Sequence, residues 1–153
     1  MATITHRTRS EMEQADHLGQ AVAYIVLGFF LVAHGVAHTP AFFVQWRLSQ
    51  PERTVYTTTL LDGRLEVGDA GTRIEGLLWL VAALGFVVTG LRLAWRKRLE
   101  PMLLTAITIF SLVLCVLGLP QAWVGAMIDL AILVVLGSIL GMRSWETLDR
   151  EGI

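Results

Sequence analysis

Apolar residues along this chain fall into four blocks, 21–43, 74–95, 102–119 and 122–142, separated by polar stretches that carry most of the charge. At about 1.5 Å per helical residue, each block can cross a hydrocarbon layer about 30 Å thick, the third only just. Helices satisfy their own backbone hydrogen bonds, which is the condition lipid imposes on a spanning chain. The pattern therefore predicts an all-α membrane protein, a single integral domain over residues 1–153 built as a four-transmembrane-helix bundle.

The polar segments carry their own signals. In residues 1–19 the string "TRSEMEQADHLGQ" predicts a short interfacial helix starting at Ser10, with Glu13 three residues on as in a capping box. The first loop, 47–72, holds "RTVYTTTLLDGRLEVGD", two strand-like runs around Asp62-Gly63. Asp-Gly between such runs is a strong hairpin signal because both turn positions need positive φ. A small extracytoplasmic β-hairpin is expected there, leaning on the helix ends because a lone hairpin is marginal in water. Thr72 and Glu75 are spaced as an N-cap and its reciprocal partner, which would start the second span. "LGLPQAW" joins the last two spans in a few residues, so those helices must be antiparallel neighbours. Gly137-x-x-x-Gly141 is a small-residue stripe suited to close helix contact, and the glycines of "GLLWLVAALGFVVTG" have the same packing explanation rather than a cofactor one. Residues 143–153 form a tail.

Composition agrees with lipid as the solvent: 54% of residues are hydrophobic, 16% are charged and the mean hydropathy is +0.61. Arg7 and Arg9 precede the first block as in a leader, but so do Glu11, Glu13 and Asp16, and no small-x-small cleavage site follows, so a retained span is expected. With four crossings, one side holds Arg7, Arg9, Arg92, Arg96, Lys97, Arg98, Arg143 and Arg150, and the other only Arg47, Arg53, Arg64 and Arg73. The positive-inside rule then puts both termini in the cytoplasm, with the bacterial inner membrane as the expected location. A net charge of −1 gives no reason to expect a nucleic-acid partner, and a single cysteine, Cys115, excludes an intrachain disulfide.

The candidate chemistry is a polar layer. Counting along the helices places His34 and Asp129 each about 10 Å below the outer surface, with Ser111 at about 12 Å, Cys115 at about 6 Å and His38 at about 4 Å. Glu75 opens the second span at the same edge. A buried charge in a span normally faces a partner, and a histidine is the best one available to Asp129. His34 and His38, four apart, share a helix face, and Pro40 can kink the helix beside them. Two histidines and a carboxylate suit a divalent metal. The same groups suit a proton relay or a quinone carbonyl, with Phe42, Phe43 and Trp79 as walls. Bis-histidine haem is not expected within one chain, because His6 and His17 belong to the opposite end. The plainest reading is mutual hydrogen bonding that fixes helix register, with Ser111 and Cys115 in support and Cys115 an inert buried thiol.

The strings "FFLVAHGVAHTPAFF" and "RIEGLLWLVAALGFVVTG" resemble small uncharacterised bacterial four-span membrane proteins with an H-G-x-x-H string ending the first span. The layout, with "FFLVAHG" in the first helix, is also similar to DoxX-like proteins, and that resemblance implies an association with quinone and thiol redox complexes. The expectation leans towards a non-enzymatic accessory or assembly subunit, self-associating through Gly137 and Gly141 or packing on other membrane subunits. The alternatives are a metal-, quinone- or haem-linked redox protein using His34, His38, Asp129 and Glu75, and, less favoured, a small transporter.

Overall fold

The computed structural model of the protein describes residues 2–49, 56–96 and 99–151. These residues form α1 (Ala2–Ala37), α2 (Thr39–Gln45), β1 (Thr59–Leu60), β2 (Leu65–Glu66), α3 (Gly68–Arg96), α4 (Pro101–Leu117) and α5 (Trp123–Glu151). Lys97, Arg98 and Arg53, used in the charge count, lie outside the described residues, as does the start of the first strand-like run. Nothing is described of the side chains of Arg7, Arg9, Ser10, Glu13, Arg143, Trp145 and Arg150.

Four long helices appear where the apolar blocks predict them, but four boundaries differ, one of them the far end of α5, which runs through the expected tail to Glu151. The helix expected to begin at Ser10 is continuous from Ala2 to Ala37, because no Pro or Gly interrupts the first two turns and the amphipathic lead simply runs on into the apolar block. The first block is broken at its end: α1 stops at Ala37, His38 donates its backbone N–H to Gly35 O at 3.1 Å, and α2 restarts at Thr39 with Pro40 in its first turn. Proline has no N–H to offer Val36, which explains why the helix re-nucleates there. The second block begins earlier than expected, at Gly68 rather than near Ile74.

That early start overturns the capping box at Thr72 and Glu75. Thr72 lies a full turn inside α3, its hydroxyl within reach of Gly68 O at 3.0 Å and Thr57 O at 3.3 Å. The opening turn is instead held from outside. Gly68 N donates to Glu66 Oε1, and Asp69 accepts from Tyr56 Oη at 2.6 Å and Arg47 Nη2 at 3.2 Å. The Arg47 guanidinium also sits 4.3 Å over the Tyr56 ring. These tertiary contacts favour helix across the two glycines of "GDAG", against their propensity.

The hairpin forms where expected. Thr59 pairs with Glu66 and Leu60 with Leu65. Asp62 and Gly63 have φ of 57° and 82°, and Arg64 N returns to Leu61 O at 3.2 Å, which closes the tight turn. Leu61 also has positive φ, so the paired strands are two residues each. Leu61 N donates to Leu117 O at 2.9 Å, which ties the hairpin to the end of α4.

Helices α1 and α3 pack antiparallel through glycine. A Cβ built at Gly90 would lie 2.5 Å from Gly28 O, and one at Gly28 would lie 2.7 Å from Gly90 O. Gly35 meets Ala83 O at 2.7 Å in the same way, so the two backbones touch over much of their length. Helices α4 and α5 are antiparallel neighbours, as the short "LGLPQAW" connection requires. One apolar cluster, Leu31, Phe86, Leu93, Leu104 and Leu136, joins all four long helices in the middle of the bundle. Hydroxyls in the helices satisfy themselves on the preceding turn: Thr89 bonds Gly85 O and Thr108 bonds Leu104 O.

The outer surface is apolar. Phe29, Val81, Trp95, Met102, Val134 and Val135 are all more than half exposed. Apolar stretches within Gln14–Gln45, α3 and Trp123–Gly141 are long enough to cross a membrane. Helix α4, with 17 residues, is apolar but shorter than these, about 25 Å long.

Candidate functional site

The polar residues converge at the hairpin end of the bundle, above the apolar core. His34 comes from the last turn of α1, His38 from the break after it, Ser111 and Cys115 from one face of α4, and Asp129 from the second turn of α5. Every one of them is buried, Asp129, Ser111 and Cys115 completely. Three segments distant in sequence meet because the helices alternate direction, so residues near the C-terminal ends of α1 and α4 reach the same level as the N-terminal half of α5.

Two hydrogen bonds define the geometry. His34 Nε2 and Asp129 Oδ1 are 2.8 Å apart, and His38 Nε2 and Ser111 Oγ are 3.0 Å apart. Which atom donates in each depends on the imidazole tautomers. The second carboxylate oxygen of Asp129 accepts from Cys115 Sγ at 3.6 Å. Cys115, expected as a buried supporting thiol, is thus a partner of the buried carboxylate. The imidazoles meet edge to face, with centroids 4.7 Å apart, and Phe86 stands 4.7 Å from His34 and 5.8 Å from His38. Trp79 also lies against His38, with centroids 5.1 Å apart.

His38, placed nearest the surface by depth counting, is as buried inside the chain as His34, because Trp79, Phe86 and Ser111 pack against its ring. Glu75 stays apart from the histidine–aspartate group: its Oε1 accepts from Trp79 Nε1 at 3.1 Å, so it reaches the site only through the indole that lies against His38. Of the three residues proposed as walls, Trp79 lies against His38, while Phe42 meets Phe43 edge to face at 5.5 Å and Trp46 at a tilt at 5.6 Å. Phe86 was not foreseen as a wall. Its signal is spacing, since it lies seven residues after Trp79 on the buried face of α3.

Glycine gives this site its tightness. A Cβ at Gly125 would lie 2.9 Å from Cys115 Sγ and 3.7 Å from His38 Cε1, so α5 can approach only because position 125 has no side chain. Gly35 does the same for α1 against Phe86. Gly137 and Gly141, by contrast, have nothing within 4 Å, and the close helix approach within this chain is made at Gly28, Gly35 and Gly90.

The donor set is two imidazoles and one carboxylate, and the ligand atoms of His34, His38 and Asp129 all lie within 4.8 Å of one another. Among the described residues, the ion-pair partner of Asp129 is His34. Such a group can hold helices in register, carry a proton between bases, or take a cation. No protein-family model matches this chain, and no curated protein or solved structure matches it either.

Proposed function

We propose that this protein crosses the cytoplasmic membrane four times, with both termini in the cytoplasm, and acts as a non-enzymatic accessory or assembly subunit of a larger membrane complex. The observation that carries the reading is the inverted distribution of polarity. Charged and imidazole groups are packed inside, while Phe29, Trp95, Met102 and Val134 point outwards. In water such a surface would be an aggregation liability, and in a bilayer it is the ordinary exterior.

Helix α5 supports the subunit role in particular. Only 11% of its apolar stretch is buried by the rest of the chain, against 39% for α3. Its outward face includes Gly137 and Ser138, with open space around the glycine, which is the composition that lets a second helix approach closely. A photo-crosslinking residue placed at Gly137, in membranes, tests the assignment. A discrete protein adduct that disappears when Gly141 is replaced by Leu supports it; adducts to lipid alone refute the subunit role.

A further inference from the structure

We infer that His34, His38 and Asp129 form a binding site for one divalent first-row transition-metal ion. The inference goes beyond the subunit reading and does not depend on it.

Geometry comes first. Bond lengths of about 2.0–2.2 Å and angles between tetrahedral and octahedral values put ligand atoms about 3.0–3.5 Å from one another. His34 Nε2 and Asp129 Oδ1 stand at 2.8 Å and need to open only slightly, and the widest separation in the group is 4.8 Å. Side-chain rotations of about 1 Å therefore close a three-ligand site without moving a helix. The ion would take the place now occupied by the hydrogen bond between His34 and Asp129, and the proton shared by that pair would leave with binding.

The surroundings are those of a prepared ligand set. Cys115 Sγ holds the second oxygen of Asp129, Ser111 Oγ bonds the imidazole of His38, and Phe86 and Trp79 fix the ring planes. Partners of this kind orient ligands and raise their affinity. Charge points the same way. Among the described residues the fully buried carboxylate of Asp129 has no lysine or arginine as ion-pair partner, only an imidazole, so a dication is a better counter-charge than anything the chain supplies.

Two imidazole nitrogens and one oxygen select zinc, ferrous iron, cobalt or manganese over magnesium and calcium, which favour all-oxygen shells. Three protein ligands would leave at least one coordination position for water or another ligand.

The test uses the full-length protein in detergent, stripped with a chelator and titrated with Co²⁺ alone, then with Zn²⁺ as competitor. The expected result is one equivalent of Co²⁺ with the visible bands of a nitrogen-and-oxygen site, displaced by Zn²⁺ and unaffected by Mg²⁺. Asp129→Asn keeps the shape of the side chain and His38→Gln keeps a hydrogen-bonding one, and each should abolish the bands while helical content stays at the wild-type level. Ser111→Ala should keep the stoichiometry and weaken binding about 10-fold or more. Wild-type protein without bands, or bands unchanged in both Asp129→Asn and His38→Gln, would overturn the inference.

Discussion

Replacing His34 by alanine should show how much the buried pair contributes to the bundle. The imidazole is 3% exposed and Asp129 is fully buried, with one hydrogen bond of 2.8 Å between them. A single truncation removes four things at once: that bond, the edge-to-face contacts with His38 and Phe86, and the stacking on Phe30. It also leaves a carboxyl group whose remaining partner is the weak donor Cys115. Breaking one side of a buried polar pair typically costs about 3–5 kcal/mol, so His34→Ala should lie near the lower end of that range. The pairwise part is smaller. Hydrogen bonds between helices in bilayers average about 0.6 kcal/mol and reach about 1.7. Full burial, the short distance and a carboxylate acceptor place this one in the upper half of that range, about 1–1.7 kcal/mol. A double-mutant cycle with His34→Ala, Asp129→Ala and the combination isolates it, because the lost ring contacts and the lost thiol contact each appear in two arms and cancel. Reversible unfolding in mixed micelles, followed by circular dichroism, supplies the four free energies. A coupling energy below about 0.3 kcal/mol, no larger than the usual non-additivity of independent sites, would refute the claim that this pair joins α1 to α5.

Two further outcomes follow from backbone geometry. Gly90→Val should destabilise by about 1–3 kcal/mol or more in the same unfolding assay, because its Cβ meets Gly28 O at 2.5 Å and neither backbone can yield, whereas Gly19→Val, with nothing within 4 Å, should be neutral or slightly stabilising, since valine has the better helix propensity. Gly63→Val, at φ +82° with open space around it, should cost about 1–2 kcal/mol from conformation alone and loosen the hairpin; hydrogen exchange should become faster at Leu61 and Val67, whose amides bond Leu117 O and Thr58 O, while α3 protection stays unchanged.

Long-range placement was more legible in the sequence than local detail. Hydropathy alone located all four long helices, and a rise of 1.5 Å per residue was enough to set His34 level with Asp129, because straight helices of alternating direction turn sequence position into depth. The same counting gave His38 a depth but could not give its burial, since it has no term for the rings of Trp79 and Phe86 that pack against it. The start of α3 was hidden for a related reason. "GDAG" reads as a loop from propensity, and only the contacts of Asp69 with Tyr56 and Arg47 hold it as helix. Glu75 then falls inside the helix, where Trp79, four residues on, is its natural partner. Gly28 and Gly35 were readable in principle. With Leu31 and His34 they lie on one face of α1, and a stripe of small residues running into a polar group is what a close helix crossing looks like in sequence. The thiol contact of Cys115 depends on Gly125 admitting α5, a match between two helices that neither segment displays alone.

The most direct test of the account as a whole is the side of the membrane on which each loop lies. In a Cys115→Ala background, single cysteines at Gly19, Asp62 and Glu100 can be probed with a membrane-impermeant maleimide on intact cells. The account predicts labelling at Asp62→Cys, in the hairpin turn, and none at Gly19→Cys or Glu100→Cys until the membrane is opened. Labelling of all three from one side, or of Gly19→Cys and Glu100→Cys in intact cells with Asp62→Cys protected, would contradict it.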